Sequence, residues 1–229
     1  MDRMEPTFYP GESAAGPWQA TAIGDVMRML VDAAGDPLGR PRIVAIDGPG
    51  GAGKTTIAAT LAGGMPRAAV VHTDDVAWHH SFFGWSDVLV EGVLDPLHRG
   101  EAVAYRPDAW AQRGRAGAID VPAGRHMVIV EGTGAARREL MHLVDAVVWV
   151  QADLAEAKRR CMTREGDAQA ARDFWDEWMQ QEIPFMADHR PWERANLVVA
   201  GTPTVRYDPT RQLLTAFPPP RSPRSWLLP

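Results

Sequence analysis

Short apolar runs alternate with helical patterns along most of this chain. The apolar runs are rich in Val, Ile and Ala and predict five strands, over 42–47, 68–72, 127–130, 145–150 and 196–200. They are continuous rather than alternating with polar residues, which is typical of parallel strands buried on both faces. The helical patterns predict helices over 54–62, 86–98, 153–164 and 168–186. Such alternation predicts an α/β fold with a doubly wound, five-stranded parallel sheet and helices on both faces.

An additional helix is predicted before the first strand. Its apolar residues recur at i, i+3, i+4, i+7 and i+8, namely at Ile23, Val26, Met27, Leu30 and Val31,. Gly35 follows the last of them and is a typical helix stop,. We expect this apolar face to pack on the core as an extra N-terminal helix. A homodimer contact through the same helix stays open.

The two ends of the chain differ in composition from the part between them. Residues 1–17 are rich in Pro, Gly and polar groups and predict an N-terminal tail or a surface strap,. Residues 218–229 predict a Pro-rich C-terminal tail, and 204–207 with 212–217 are compatible with a hairpin that adds an edge strand,. The prediction is a single domain over 18–217, in keeping with a length of 229 residues,.

Composition and charge exclude several classes of protein. The net charge of −5 argues against a broad nucleic-acid-binding face,. Cys161 is the only cysteine, so no disulfide can form within the chain, which fits a reducing compartment,. The first ten residues lack the apolar region of a signal peptide, and no apolar run approaches the ~18 residues of a membrane span. We therefore expect a cytoplasmic protein that does not contact membranes.

A phosphate-binding loop is predicted between the strand over 42–47 and the next helix. The segment 48–55 reads GPGGAGKT and matches G-x-x-x-x-G-K-[ST] at every required position,. Its glycines let backbone N–H groups surround phosphate oxygens without Cβ clashes, and the helix N-terminus adds partial positive charge. Lys54 would lie near the β- and γ-phosphates, and the Thr55 hydroxyl can ligate Mg²⁺. The candidate nucleotide-binding residues are Gly48, Gly50, Gly51, Ala52, Gly53, Lys54, Thr55 and Thr56.

Two other predicted strands lead into carboxylates. Glu131 ends the run MVIVE, at the carboxyl edge of the sheet where ligands bind in open α/β folds, and a carboxylate there can hold Mg²⁺,. Asp74 and Asp75 follow the strand over 68–72, and one of them can act as general base toward an attacking hydroxyl,. The other can cap a helix or bind metal, and these residues alone leave open which is the base. The candidate Mg²⁺ ligands are Thr55, Glu131 and Asp74.

The helix predicted over 153–164 is rich in arginine. Asp153 and Glu156 have the spacing of a capping box,. Arg160 and Arg164 lie four residues apart on one face, where like charges repel each other unless an anionic ligand lies between them,. This pattern predicts a lid whose arginines neutralise charge on a transferring phosphoryl group.

Aromatic residues cluster in two places. Trp78 and three others, Phe82, Phe83 and Trp85, follow the acidic pair and are too closely spaced for one helix face. They suit an acceptor pocket in which a flat ring stacks, with Trp78 as a candidate contact. Phe174, Trp175 and Trp178 have helical spacing and predict core packing instead,.

Together, from about residue 42 to 201, these motifs resemble the uridine kinase branch of the P-loop kinases, which includes the nicotinamide riboside kinases. The resemblance implies a P-loop NTPase fold that uses ATP and Mg²⁺. It aligns Asp74, in the segment HTDD, with the catalytic base of the family. The aromatic pair that usually follows this base is replaced here by the segment VAW, which ends at Trp78.

The resemblance also implies roles at the acceptor and the lid. Asp87 corresponds to the family's grip on ribose hydroxyls, and Tyr105 lies in the segment that leads to the base pocket. Arg106 stands where an acidic residue is usual. Arg159, Arg160 and Arg164 resemble the lid arginines of the family, with one extra residue before the last of them. The resemblance implies that Arg159 binds the nucleotide.

We therefore expect a kinase that transfers the γ-phosphoryl group of ATP to a hydroxyl of a nucleoside-like small molecule. Lys54, Asp74, Arg160 and Arg164 are the expected catalytic residues. One alternative is a kinase of the same fold that acts on another alcohol, such as a vitamin, a sugar or an antibiotic. Another is a nucleotide-dependent regulator, although the GTPase motif Asn-Lys-x-Asp is absent because Asn196 is the only asparagine. The preference between ATP and GTP stays open.

Overall fold

A computed structural model describes residues 5–166 and 169–217 of the chain. The main sheet has seven strands within these residues, in the order β1-β9-β8-β7-β2-β6-β3. Its strands are β1 Gln19–Ala22, β2 Arg42–Asp47, β3 Ala68–His72, β6 Met127–Glu131, β7 Ala146–Gln151, β8 Leu197–Ala200 and β9 Gln212–Ala216. Two short strands, β4 Val103–Tyr105 and β5 Ile119–Val121, form a separate antiparallel pair.

The five predicted strands are confirmed as the parallel part of the sheet. They are β3, β6, β2, β7 and β8, and each neighbouring pair is parallel. Strand β9 adds antiparallel to β8 at the predicted edge segment, while 204–207 forms no strand. Strand β1 was not predicted, because its sequence QATA carries no apolar run. It pairs antiparallel with β9, where Thr21 Oγ1 lies 2.6 Å from Thr215 Oγ1.

Helices cover both faces of the sheet. The α-helices are α1 Ile23–Ala34, α2 Lys54–Gly64, α3 Thr73–Ala77, α4 Ser86–Leu89, α5 Asp95–His98, α6 Asp108–Gln112, α7 Leu154–Glu165 and α8 Gln169–His189. A π-helical turn, Val90–Leu94, joins α4 to α5, so the helix predicted over 86–98 is continuous in path. Residue 168, the predicted start of the last helix, lies outside the described residues. None of the described helices is long and apolar enough to span a membrane.

The extra N-terminal helix is confirmed as α1. Val26 and Leu30 on its apolar face are buried against the sheet. Gly35 ends the helix, as its N–H donates to the Val31 carbonyl at a φ of 68°, a conformation that glycine adopts without strain,.

The continuous apolar runs are explained by two cores, one on each face of the sheet. Along β2, Ile43 and Ala45 belong to one core, while Val44 and Ile46 belong to the other core with α1 and α2. Successive side chains of a strand point to opposite faces, so a strand covered on both sides must be apolar at every position.

The described part of the N-terminal segment lies along the protein as a strap, one of the two predicted arrangements. Tyr9 is only 2% exposed. The Thr7 carbonyl accepts a hydrogen bond from the Leu154 N–H at 2.9 Å, and Glu12 accepts one from Trp149 Nε1 at 2.6 Å. The predicted Pro-rich tail over 218–229 lies outside the described residues.

Candidate active site

The P-loop motif forms the turn from β2 into α2. Gly51 has a φ of 78°, and a Cβ there would lie 2.4 Å from the Ala157 carbonyl oxygen, so only glycine fits,. Lys54 is largely buried and its ammonium is fully engaged. It donates to the carbonyls of Gly48 and Pro49, both at 2.9 Å, and to Thr133 Oγ1 at 3.1 Å. These bonds hold the ammonium against the loop, and Lys54 also lines the cavity described below.

A buried carboxylate stabilises this loop through hydrogen bonds to backbone N–H groups. Asp47, the last residue of β2, is fully buried and accepts hydrogen bonds from the N–H groups of Gly48 at 2.7 Å and of Gly134 and Ala136, both at 2.9 Å. Burial raises the pKa of Asp47, although the three backbone donors and Lys54 oppose this. The carboxylate thus ties the P-loop to the loop that follows β6.

The side-chain oxygens of Glu131 and Thr55 lie close together, as the ligands of a cation must. The Thr55 hydroxyl donates to Glu131 Oε1 at 2.9 Å, and His72 Nδ1 lies 2.5 Å from the same oxygen. Burial raises the pKa of Glu131, but the contacts with His72, Lys54 and Thr55 outweigh it and lower the pKa overall. An ionised carboxylate beside a hydroxyl is the oxygen donor set that Mg²⁺ prefers, and these two residues therefore fit Mg²⁺.

The P-loop opens into a cavity of about 1230 Å³. Residues of the loop, of the end of β6, of the segment from Thr73 to Phe82, and of α7 and α8 line it. Gly50, Gly51, Gly53, Lys54, Thr55 and Thr56 are among them. Gly48 and Ala52, two other predicted nucleotide-binding residues, are buried and do not line the cavity. Thr133, which bonds Lys54, was not predicted.

The structure separates the two neighbouring aspartates. Asp74, in the first turn of α3, is exposed and lines the cavity. Asp75 does not line it, because its carboxylate pairs with Arg115 Nη2 at 2.5 Å. Of the pair, only Asp74 is therefore placed to meet a molecule in the cavity.

An aromatic wall lines part of the cavity and reaches the P-loop, since a Cβ on Gly50 would lie 3.6 Å from Trp178 Nε1. We use this name for Trp78, Phe82, Trp85, Phe174, Trp175 and Trp178. Phe82 makes edge contacts with Phe174 at 5.7 Å and with Trp178 at 5.2 Å between ring centroids. The prediction that the α8 aromatics are core residues is therefore incomplete. Trp175 is buried, but Phe174 is 54% exposed, and both of them and Trp178 line the cavity, because this face of α8 borders it.

Arg137, which was not predicted as a site residue, packs against the aromatic wall and does not line the cavity. Its guanidinium lies 3.8 Å from the Trp85 ring centroid, and its Nη1 donates to the Phe83 carbonyl at 2.5 Å. Burial lowers the pKa of Arg137 to about 10, so it remains a cation at neutral pH.

The lid arginines divide into two groups. Arg160 and Arg164 line the cavity, and Arg160 Nη1 donates to the Gly201 carbonyl at 2.7 Å. Arg159 points away, exposed, with both Nε and Nη2 bound to Glu156 at 2.8 and 2.6 Å. The structure thus does not bring Arg159 to the cavity, since helical geometry turns adjacent residues to different faces. Glu156 accepts hydrogen bonds from Arg159 and Arg160 and forms no capping box. Asp153 caps α7 by accepting a hydrogen bond from the Ala155 N–H at 3.2 Å.

Three residues expected at the acceptor do not line the cavity. Asp87 is exposed on α4. Tyr105 packs over Gly92, where a Cβ would lie 2.4 Å from the tyrosine ring. Arg106 Nη2 donates to the Arg115 carbonyl at 2.8 Å. Tyr105 ends β4, in the β4–β5 pair that was not predicted, and Arg106 follows it directly.

Glu182 on α8 was also missed and reaches the P-loop. It is fully buried, and its Oε1 accepts a hydrogen bond from the Gly50 N–H at 3.3 Å. The sequence holds a signal for it, because Glu182 follows Trp175 by seven residues and Trp178 by four. A carboxylate at that spacing lies on the inward face of the helix.

Solved structures of known proteins share this fold. A protein from Silicibacter sp. TM1040, provisionally assigned as a fructose transport system kinase, is 20% identical with a TM-score of 0.55, over 76% of this chain and 95% of that one. A protein from Bacillus stearothermophilus, provisionally assigned as a uridine kinase, is 17% identical with a TM-score of 0.55, over 77% and 96%. D-glycerate 3-kinase from Cryptococcus neoformans is 14% identical with a TM-score of 0.56, over 78% and 94%.

Comparisons at the level of sequence add nothing to this result, since no family model and no curated protein matches the chain. Identities at or below 20% establish the architecture and not the substrate,. The predicted P-loop architecture is confirmed: this chain has the fold of the P-loop kinases.

Proposed function

We propose that this protein is a kinase that uses ATP and Mg²⁺ and phosphorylates a hydroxyl of a nucleoside-like small molecule. One observation carries the proposal: the P-loop with Lys54, the carboxylate of Asp74 and the aromatic wall all line one cavity. Phosphoryl transfer to an alcohol needs both a triphosphate cradle and a base next to an acceptor.

At the phosphate end, the chain supplies charge and position. Lys54 is released from the Gly48 and Pro49 carbonyls to the β- and γ-phosphoryl oxygens, and the N–H groups of the loop bind the remaining oxygens,. Thr55 and Glu131 would hold Mg²⁺, which would neutralise negative charge on the phosphoryl oxygens,. Arg160 and Arg164 add positive charge from the lid,.

At the acceptor end, Asp74 takes the proton of the attacking hydroxyl. Its exposure in the cavity supports this role, and the ion pair of Asp75 with Arg115 argues against the neighbouring residue. A carboxylate placed within hydrogen-bond reach of an alcohol is a competent general base for this chemistry.

The acceptor end favours an uncharged ring. Among the described lining residues, the arginine and lysine side chains are Lys54, Arg160 and Arg164, and all three belong to the P-loop or to α7. Helix α7 packs on the P-loop. The contact is close at Gly51, where an added Cβ would meet the Ala157 carbonyl and Cys161 Sγ. The arginines that contact the wall, Arg115 over Trp78 and Arg137 over Trp85, are not among the lining residues, and a flat neutral ring can stack on the wall,.

One observation favours a second candidate of the same reaction class. Asp87, Tyr105 and Arg106, the residues expected to hold ribose and base, do not line the cavity. A kinase for another alcohol with an apolar or aromatic body, such as a vitamin or an antibiotic, accounts equally well for the P-loop and Asp74.

The test is Mg²⁺-dependent ADP release from ATP, measured with and without a panel of nucleosides, vitamins, sugars and hydroxylated antibiotics. Stimulation by uridine or cytidine supports the nucleoside-like acceptor. Stimulation by another alcohol alone keeps the kinase and replaces its acceptor. Slow hydrolysis that no acceptor changes would overturn the proposal in favour of a nucleotide-dependent regulator.

A further inference from the structure

Glu182 is a buried carboxylate for which the proposed chemistry has no use. It is 0% exposed, and each of its two carboxylate oxygens accepts at least one hydrogen bond. Tyr9 Oη and the Gly50 N–H donate to Oε1, the latter at 3.3 Å, and Trp178 Nε1 donates to Oε2. Burying a carboxylate is costly unless donors surround it. The three donors therefore show that this is a constructed site rather than a stray acidic residue.

The donors come from three parts of the chain. Gly50 belongs to the P-loop, Trp178 lies one helical turn before Glu182 on α8, and Tyr9 belongs to the N-terminal segment. Nothing in the local sequence joins these parts. Glu182 is thus the point at which α8 and the N-terminal segment are both connected to the phosphate-binding backbone.

The Tyr9 ring is held by aromatic packing. It stacks on Trp192 with centroids 6.0 Å apart and an interplanar angle of 7°, and it contacts Trp149 at 6.2 Å. The hydroxyl is the polar end of an otherwise apolar contact, and it meets Glu182. Removal of the hydroxyl alone would therefore leave the ring packing in place.

The segment around Tyr9, residues 7–15, is the N-terminal strap. Glu12 fixes it to the end of β7 by accepting bonds from Trp149 Nε1 at 2.6 Å and Gln151 Nε2 at 2.8 Å. The Thr7 N–H donates to Asp153 Oδ1 at 3.1 Å, at the start of α7. The strap is thus attached to the scaffold on both sides of Tyr9.

The charged groups around Glu182 belong to the phosphate site. Burial raises the pKa of Glu182 to about 7, while the Tyr9 hydrogen bond, the Lys54 charge and the Gly50 N–H lower it and Asp47 raises it. The donors all favour the ionised carboxylate, which is a counter-ion close to Lys54.

We propose that the N-terminal strap is part of the phosphate-binding site, in which Tyr9 and Glu182 hold the P-loop backbone at Gly50 in the conformation that receives the triphosphate. Both are positioning residues, since neither lines the cavity. The inference rests on the proposed nucleotide site. It adds that a segment some forty residues before the motif is needed for full nucleotide affinity.

The experiment compares Tyr9→Phe and Glu182→Gln with the unmodified chain. ATP affinity is measured by calorimetry in the presence of Mg²⁺, together with the melting temperature and the pH dependence of binding between pH 5.5 and 8.5. Tyr9→Phe is expected to weaken ATP binding by about five- to tenfold, the usual effect of one hydrogen bond to a charged group. Glu182→Gln is expected to weaken it further, because the amide NH₂ faces donors instead of accepting from them.

Matched controls are Tyr207→Phe and Glu101→Gln. Tyr207 lies between β8 and β9, and Glu101 is exposed and paired with Arg99. Both controls should keep the affinity of the unmodified chain. The unmodified chain should also lose ATP affinity when the pH falls below 7, and Glu182→Gln should reduce this dependence to the part that comes from protonation of the phosphate groups of ATP.

The outcomes separate the two proposals. Tyr9→Phe and Glu182→Gln proteins that melt earlier but bind ATP with unchanged affinity and pH dependence would show a purely structural contact and overturn this inference alone. If Glu182→Gln does not fold, Tyr9→Phe still decides the question. An unmodified chain that binds no ATP would overturn the proposed function as well.

Discussion

The two ends of the cavity are built in different ways. At the proposed phosphate end, the P-loop is one stretch of eight consecutive residues, 48–55, which includes Lys54. At the proposed acceptor end, the lining consists of side chains from two separated regions, the segment that follows β3 and helix α8, and two α8 aromatics also reach Gly50. A site made of contiguous backbone can be identified from a motif. A site made of dispersed side chains depends on how the helices pack.

The two ends also differ in charge. The arginines and lysine that line the cavity lie on the P-loop or α7, whereas the acceptor end combines the aromatic wall with the carboxylate of Asp74. A cation-rich region suits a triphosphate, and an aromatic region with one base suits a neutral alcohol. Mutations at the two ends should therefore affect different kinetic constants.

The largest effect is expected at Asp74. Asp74→Asn should reduce kcat by about 10²- to 10⁴-fold, since the amide cannot accept the hydroxyl proton. The dissociation constant of ATP should change little, because the side chain lies outside the P-loop. Steady-state ADP release and calorimetry measure the two quantities. Asp75→Asn is the matched control and should retain most turnover; the reverse order of the two variants would reassign the base.

The next effect is expected at the phosphate end. Lys54→Ala should reduce kcat/KM by about 10²- to 10³-fold, as expected for loss of a charge that stabilises the transferring group. Lysine occurs only once more in the chain, at Lys158, which does not line the cavity and pairs with Asp176 at 3.2 Å. Lys158→Ala is therefore the control and should match the unmodified protein. Equal losses in both variants would contradict a specific role for Lys54.

The lid offers a sharper comparison within one helix. Arg160→Ala should reduce kcat/KM by about tenfold or more, because it removes a cation from the cavity,. Arg159→Ala should have almost no effect, because its guanidinium is bound to Glu156 outside the cavity,. Steady-state kinetics with varied ATP decide between them. A larger loss at Arg159 would restore the original prediction that this residue binds nucleotide.

A smaller effect is expected in the aromatic wall. Trp78→Ala should raise the KM of the acceptor by up to about tenfold through loss of ring stacking, while the affinity for ATP stays unchanged. Trp78→Phe should recover part of the loss because it keeps an aromatic face. Kinetics with each substrate varied in turn test this, and a change confined to the KM of ATP would show that Trp78 belongs to the phosphate end.

The last expected effect concerns stability rather than turnover or binding. Burial raises the pKa of Glu182 from 4.5 to about 7, so its contribution to folding is fully present below pH 4.5 and is lost as the pH rises through 7,. The free energy of unfolding of the unmodified chain, relative to that of Glu182→Gln, should therefore decrease from pH 5 to pH 8. Urea unfolding at both pH values measures it. A difference that does not vary with pH would show that Glu182 keeps an ordinary pKa.

Most of the parallel sheet could be predicted from the sequence because each strand carries its own apolar run. The weaker elements could not. Strand β1 forms only because β9 lies beside it, and the β4–β5 pair has only three residues in each strand. Short segments of this kind are stabilised by their partners rather than by their own propensity.

The candidate site divides in the same way. The P-loop, Glu131 and Asp74 follow strands directly, and the carboxyl ends of parallel strands meet at one edge of the sheet. Asp87 and Arg159 were expected in the site, but adjacent helical positions point in different directions, and packing turned them away. Tyr9 lies 173 residues from Glu182, so no local pattern could connect the two.

By itself, the sequence determined the strand–helix order, the phosphate-binding loop and the carboxylates that follow the strands, because these depend on contiguous residues and on a periodicity that each segment carries alone. Only the tertiary structure decided that α8 would line the cavity, that Asp75 would pair with Arg115, and that the N-terminal strap would reach the P-loop. Those arrangements depend on which surfaces meet when the helices and the strap pack on the sheet. Contacts between segments far apart in the chain are selected by burial and hydrogen bonding in the assembled fold.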